Sequence, residues 1–446
     1  ARRFASTFVT DRTISIDAPD TVSRLMSRPE TVKTGPNSAK ASFTNGMFSS
    51  ATILIGTTRF PVFRTGGTPR CRRNVRRYRD RGRRMCCAKI PDPKPSQYYI
   101  LVEFSLASTH TVRVSRPPLR VVTMTKTDKL SASLYASIAG DALGVPVEHS
   151  TRQELALTSV KNMLGYGRYD QPEGTWSDDS SMILCTMESL CKGYNLDDIG
   201  KTFCSWLFES RWTASGYVFD SGLTTFVALE SIRSDQKNAR ESGGGGPDDN
   251  GNGSLMRILP AALYFSNEDT PGMLEKIHEV SAITHAHPRA KAGCGIYALI
   301  VRALLESADK AEALARALEE AREYYKSDPA FQPEMKHYER LLAARIPGLD
   351  AAEIQSSGYV VHTLEAAVWC LFKASDTKSI LLEAVNLGLD TDTTGTVAGG
   401  LAGLAHGLEG VPAVWLSSLA RKDEIDALIT QFVNCVSSRP GGKALR

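Results

Sequence analysis

Residues 387–407 read Leu-Gly-Leu-Asp-Thr-Asp-Thr-Thr-Gly-Thr-Val-Ala-Gly-Gly-Leu-Ala-Gly-Leu-Ala-His-Gly, and the rest of the chain is best understood outward from them. Asp390 and Asp392 are followed directly by Thr393 and Thr394. These are hard oxygen donors of the kind that Mg²⁺, Mn²⁺ or Ca²⁺ prefers. The segment then turns apolar and carries Gly395, Gly399, Gly403 and Gly407, a spacing of four that puts all of them on one helix face. A glycine inside a helix costs about 0.8–1 kcal/mol relative to alanine, so the stripe needs an offsetting gain. Close approach of a second backbone would supply it and would fix the carboxylates at the mouth of a tight bundle. A transmembrane dimer uses a similar stripe, but this run is short of the roughly 20 apolar residues needed to span, and His406 interrupts it. Asp and Thr are also ordinary residues at a helix start. A cation site therefore requires a second acidic cluster elsewhere.

The 446 residues are 42% hydrophobic and 23% charged, enough for one large domain or two modest ones. The charge is divided unevenly. Residues 1–125 hold 23 Lys and Arg against 7 Asp and Glu, a net of +16, whereas the remainder holds 30 against 42, a net of −12. The basic part is rich in Ser, Thr, Pro and Arg, lacks sustained periodicity and is expected to be largely without order. Its arginine run, Arg70 to Arg84, fits an organelle-targeting extension. It equally fits sequence upstream of a start at Met124. A nucleic-acid-binding arm is a weaker reading, because no interleaved aromatics accompany the charge. Nine cysteines without a Cys-x-x-Cys pair suggest reduced, intracellular usage, and a cytoplasmic location is expected. No stretch is expected to span a membrane.

From Lys126 onward the pattern is helical. Leu130, Leu134, Ile138 and Ala142 predict a helix ending at Gly144 and Pro146. Further helices are expected near 180–193, 196–211, 221–234, 254–265, 272–283, 288–307, 309–326, 362–373, 376–387, 392–406 and 421–436. The expected architecture is an all-α, large orthogonal bundle over 126–437, with a short tail at 438–446 and function on the loops.

Those loops hold the unusual residues. The first helix closes with Gly140-Asp141-Ala142-Leu143-Gly144-Val145-Pro146-Val147-Glu148, which leaves Glu148 as a spare carboxylate. Trp176-Ser177-Asp178-Asp179-Ser180 is the second acidic cluster. Alone it is a capped helix start; with Asp390 and Asp392 it offers four carboxylates plus the hydroxyls of Ser177 and Thr393. Like charges raise one another's pKa, a conflict that two divalent cations would resolve. Phe219-Asp220-Ser221-Gly222 opens another helix, with Asp220 or Ser221 as its cap. The segment 242–260 runs through four glycines, 243–246, to Asn250-Gly251-Asn252-Gly253-Ser254 before an apolar helix. A glycine-rich turn at a helix N-terminus suits phosphate or diphosphate, although a flexible loop with a serine cap has the same sequence. His285, in Thr284-His285-Ala286-His287-Pro288, is either a satisfied buried imidazole or a ligand-facing donor.

Taken in order, five segments resemble the ADP-ribosylglycohydrolase family: Gly140 to Glu148, Trp176 to Met182, Phe219 to Thr225, Asn250 to Pro260 and Leu389 to Gly407. The resemblance covers roughly Lys126 to Val436. It implies an all-α fold holding two Mg²⁺ or Mn²⁺ ions on Ser177, Asp178, Asp179, Asp390, Asp392, Thr393 and Glu148. It also implies a loop at Gly251, Asn252, Gly253 and Ser254 that cradles a diphosphate, His285 facing the ADP-ribose, and Asp220 near the scissile bond. Many members carry Thr where this chain has Ser177, and either hydroxyl can coordinate.

The implied reaction is hydrolysis at the ribose C1″ of an ADP-ribosylated side chain, with Glu148, Asp220, Asp179 and Asp390 as the catalytic carboxylates and Asp220 or Glu148 as general base. The match at Phe219-Asp220-x-Gly222 leans toward arginine as the leaving group. Alternatives are ADP-ribosylserine or an ADP-ribosyl small molecule as substrate, a binuclear-metal phosphoesterase, and a non-catalytic crystallin-like member of the fold. A monomer is expected, with no membrane partner.

Overall fold

The structure is a computed structural model that describes residues 124–408 and 410–439 and, earlier in the chain, the strands at 14–15, 75–80, 83–88, 101–103 and 111–115. The chain divides into two compact units, Ala1–Val122 and Thr123–Arg446. In the first, Val75–Asp80 and Arg83–Ala88 form an antiparallel hairpin, and Thr111–Ser115 pairs with both Ile14–Ser15 and Leu101–Glu103. The sequence pattern anticipated none of these strands. The expectation of little order otherwise falls on residues outside the described ones, as does most of the tail at 438–446.

The second unit is all-α. Among its described residues it contains fifteen α-helices and no strand. Two helices far apart in sequence form its centre, Lys126–Gly144 and Thr391–His406. Thr125 caps the first, its hydroxyl accepting from the Asp128 amide while the Asp128 carboxylate accepts from the Thr125 amide. The small residues of the second helix meet a matching stripe on the first. A methyl added at Gly395, Gly399 or Gly403 would overlap the carbonyl oxygen of Gly140, Ala136 or Ala132 respectively. A methyl on Gly144 would overlap the backbone of Asp392. The helices are thus antiparallel and touch backbone to backbone. Ser137 Oγ donates to the Thr396 carbonyl at 2.7 Å and Thr391 Oγ1 to the Gly144 carbonyl at 2.8 Å, fixing the register at both levels.

One of the stripe's details differs from expectation. Gly407 does not join the packed face; it ends the helix at φ +65°, which glycine adopts without strain. The close backbone neighbour that the stripe called for is the Lys126–Gly144 helix of the same chain. A second difference concerns the membrane. Lys126–Val147 is long and apolar enough to cross one, with a mean hydropathy of 1.2, yet 83% of that window is buried inside the protein, as befits a core helix.

Thr377–Val385, Val360–Lys373 and Pro288–Glu306 pack around Thr391–His406. Six further expected helices appear close to their predicted limits. The helix expected over 254–265 is shortened to Leu259–Tyr264, because Pro260 has no amide to donate and fixes the first turn there. Arg152–Leu157, Glu339–Leu342 and Ala413–Ser417 are too short to display a helical period.

This contact makes a direct prediction. Gly399→Ala lowers the unfolding free energy by about 1–3 kcal/mol in urea titrations, since the neighbour is backbone that cannot repack. Gly245→Ala, with nothing within 4 Å of the added methyl, leaves the midpoint unchanged.

Candidate active site

The antiparallel pair brings the C-terminal end of Lys126–Gly144 to the N-terminal end of Thr391–His406. After one 3₁₀ turn, Val145–Val147, the chain places Glu148 beside Asp390 and Asp392. One carboxylate oxygen from each lies within 4.8 Å of the others. A third helix, Asp178–Leu190, arrives with its N-terminus at the same place, and Asp141 holds it there. Buried in the first helix, Asp141 accepts from the amides and hydroxyls of both Ser177 and Ser180. Thr393 Oγ1 donates to Asp179 Oδ2 at 3.2 Å, and Ser177 Oγ lies 3.3 Å from the same oxygen. The other Asp179 oxygen, Oδ1, is buried without a hydrogen-bond partner among the described residues.

The loops on either side are held under local strain. His149 and Leu389 both occupy the left-handed region, at φ 64° and 62°. The His149 amide donates to the Leu389 carbonyl at 2.6 Å, and the Leu389 amide to the Ser150 carbonyl at 2.7 Å. Ser356 Oγ and Arg152 Nε donate to the Gly388 and Leu387 carbonyls. Strained backbone of this kind persists only where the surroundings over-determine it. Here it presents Glu148 and Asp390 to each other.

On the open side, the Tyr169 hydroxyl donates to the Glu148 carboxylate, and its ring sits 5.1 Å from that of Phe219. That tilted ring contact packs against the loop carrying Asp220, which is half-buried. The electrostatics are severe. Burial pushes Glu148 up to about 8 against the pull of Tyr169, and the charges of Asp220 and Asp390 add to the rise. Burial also drives Asp178, Asp179 and Asp392 well above the usual carboxylate range. The nearest further causes are Asp220 for Asp178, Asp141 for Asp179 and Glu148 for Asp392. Asp220 is raised by burial and then by Asp390. Asp141 rises to about 6 through burial, in spite of its hydrogen bonds. An all-oxygen donor set with one orphaned carboxylate oxygen and this much mutual repulsion fits hard divalent cations.

The glycine-rich segment is stitched down on two sides. The Asn252 amide donates to the Gly358 carbonyl at 3.0 Å, and the Val360 amide to the Asn250 carbonyl at 3.1 Å. On the other side the Gly244 amide donates to the Thr284 carbonyl, and the Ala286 amide to the Gly244 carbonyl. Asn252 joins loop to acids: its Nδ2 donates to Asp390 Oδ2 at 2.7 Å and Thr363 Oγ1 at 2.9 Å. His285 lies against Gly251 and Gly253, its Nε2 3.4 and 3.3 Å from where their methyls would be. Two expectations need correcting. Ser254 turns into the core, its Oγ 2.9 Å from Ser281 Oγ and 3.4 Å from Cys294 Sγ, so its hydroxyl is not at the loop surface. The run of four glycines is also not an open anion cradle throughout, because Asp249 Oδ2 accepts the Gly246 amide at 2.8 Å.

Three residues have roles that the sequence pattern did not single out. Asp141 stands on the apolar face of its helix, three residues after Ile138, and a charge there was the available signal. Asn252, expected in the diphosphate loop, is also the bridge to Asp390. Tyr169 and Arg257 had no distinguishing pattern.

An all-helical unit with buried carboxylates from three helices converging beside a pinned glycine loop has the donor set of a candidate cation-binding catalytic centre. A profile of the ADP-ribosylglycohydrolase family matches residues 123–440, and the chain belongs to that family. It is 28% identical over 321 residues to the ADP-ribosylarginine hydrolase Tri1 of Serratia proteamaculans, covering 72% of this chain and 82% of that protein. It is 31% identical over 313 residues to the ADP-ribosyl-[dinitrogen reductase] glycohydrolase of Rhodospirillum rubrum, covering 68% and 96%. A solved ADP-ribosylglycohydrolase-related protein complex superposes with a TM-score of 0.58 at 28% identity, over 70% of this chain and 99% of that one.

In EDTA the folded protein keeps a proton on Glu148 that the unfolded chain, at its ordinary value of 4.5, has released. Unfolding stability therefore falls as pH rises from about 5 to about 8, the reverse of an ion-paired carboxylate. Thermal melts across that range measure the slope, and added Mn²⁺ flattens it by raising the melting temperature most at the alkaline end. Asp392→Asn raises the EDTA melting temperature and loses the gain from Mn²⁺.

Proposed function

We propose that this protein is a hydrolase that removes ADP-ribose from modified arginine side chains, breaking the N-glycosidic bond at ribose C1″ with the help of two divalent cations, Mg²⁺ or Mn²⁺. The observation that carries the reading is the link through Asn252 between a multi-carboxylate cluster and a glycine loop next to a neutral imidazole. A substrate with a diol at one end and a diphosphate a few ångströms away suits both halves at once. The similarity to hydrolases named for ADP-ribosylarginine and for ADP-ribosyl-dinitrogen reductase supports the same substrate class and, for the first, the same leaving group.

In this reading Glu148, Asp179, Asp390 and Asp392, with Asp178, Ser177 and Thr393 beside them, hold the cations. When bound, the cations supply positive charge that relieves the carboxylate repulsion and orients oxygen ligands. Asp220 stands at the open edge, beside the packed rings of Phe219 and Tyr169, and takes the proton of the attacking water. Water adds to C1″, the C1″–N bond breaks with its electron pair left on nitrogen, and the proton that Asp220 took from the water passes to the leaving guanidine, which departs as a guanidinium. The Gly251–Gly253 backbone and His285 anchor the diphosphate, so binding energy far from C1″ aligns the sugar. Ser254 acts through packing.

The experiment is ADP-ribose release from an arginine-ADP-ribosylated protein by the full chain in Mg²⁺, Mn²⁺ or EDTA. Release depends on the cation. Asp220→Asn lowers kcat by roughly 10²–10⁴-fold, as loss of a general base does, while leaving cation-induced thermal stabilisation intact. Equal turnover in EDTA overturns the cation assignment, and release from serine-linked but not arginine-linked substrate overturns the leaving group.

A further inference from the structure

Behind the glycine loop lie two buried groups that the reaction above does not use, Arg257 and Thr284. Arg257 is completely buried. Its Nη1 donates to the Val280 carbonyl at 3.2 Å and its Nη2 to Thr284 Oγ1 at 2.7 Å, and the guanidinium carbon sits 4.6 Å from the Phe203 ring centroid. Nε has no hydrogen-bond partner, and among the described residues no carboxylate pairs with the guanidinium. A buried cation without a counter-ion is expensive to keep, which calls for a compensating role.

Thr284 Oγ1 is 2.9 Å from His285 Nδ1. The direction of this bond follows from its neighbour. A guanidinium can only donate, so it takes one of the two lone pairs of Thr284 Oγ1, and the hydroxyl proton still needs an acceptor. Among the described residues the acceptor is Nδ1. A neutral imidazole that accepts at Nδ1 carries its hydrogen on Nε2. Nε2 has no hydrogen-bond partner among the described residues and faces Gly251 and Gly253. A side chain at Gly253 would come within 2.8 Å of His285 Cε1, so the loop's lack of side chains is what leaves the imidazole uncovered. Burial first, and then the charge of Arg257, hold His285 down at about 3, so the ring stays neutral.

We propose that Arg257 and Thr284 lock His285 in the Nε2–H form, and that the three together are the positioning device for a diphosphate-type anion bound over Gly251–Gly253. The choice of ligand rests on the function proposed above; the tautomer does not. Arg257 and Thr284 do not touch the ligand and act through the imidazole. The unpaired positive charge behind the relay biases it further toward an anion.

The test is made on the full-length protein labelled with ¹⁵N-histidine. Long-range ¹H–¹⁵N spectra report which ring nitrogen carries the proton, and His285→Gln assigns the signal. The wild type shows Nε2–H, Thr284→Ser retains it, and Thr284→Val loses it while keeping the remaining spectrum. With Mg²⁺ present, Thr284→Val weakens ADP-ribose binding by about 3- to 10-fold, the scale of one neutral hydrogen bond, and Thr284→Ser restores it. In turnover the same variant raises KM and leaves kcat near the wild-type value. An Nδ1–H or charged imidazole in the wild type overturns the relay, as does a Thr284→Val protein with unchanged tautomer and affinity. Wild-type protein with the Nε2–H form but no affinity for ADP-ribose overturns the ligand class and the function it rests on, while the spectrum still upholds the relay.

Discussion

The backbone contact between Lys126–Gly144 and Thr391–His406 is what everything else depends on. Small residues at spacings of four on both helices remove the side chains that would hold them apart, and the carbonyls of Ala132, Ala136 and Gly140 take that place. The result is an axis with little freedom to slide. At one end it sets Asp392 against Gly144 and so decides how far Glu148 stands from Asp390. Glycine's weak helix propensity is offset by tight packing and by the two hydroxyl-to-carbonyl bonds from Ser137 and Thr391.

Around that axis the protein gathers charge that its own chain does not neutralise. Asp141 is the exception: its oxygens are answered by two serine amides and two serine hydroxyls, so it works as a strut that seats the Asp178–Leu190 helix. The remaining carboxylates are held near one another by backbone strain at His149 and Leu389, by Tyr169, and by Asn252. A fold that spends stability this way has a centre built for ligands, and the excess negative charge belongs with the site.

Much of this was legible from the residues. Helical period gave the all-α body, and the glycine stripe pointed to a close backbone neighbour. The acidic pairs named the carboxylates. What escaped notice did so for physical reasons. The partner stripe of Ala132, Ala136, Gly140 and Gly144 is mostly alanine and glycine, which any buried helix contains. Ser254 has the composition of a ligand-binding loop residue, but direction is a property of the fold, and its hydroxyl points inward. Asp249 mimics a bound anion at the Gly246 amide, an internal answer that a motif cannot reveal. Tyr169 and Arg257 gain meaning only from partners 21 and 27 residues away, Glu148 and Thr284, reached through loops.

The axis also constrains how the molecule comes into being. Thr391 and the Gly144 carbonyl it binds are 247 residues apart, so the central pair is among the last contacts the growing chain can make. Until residues near 400 have been synthesised, the apolar Lys126–Gly144 helix lacks the surface it was shaped for, and exposed helices of that kind associate readily with other chains. Loop closure over such a span is slow compared with local helix formation. Assembly of the catalytic centre and completion of the fold are therefore a single late event, and a chain that stops short of it has helices but no site.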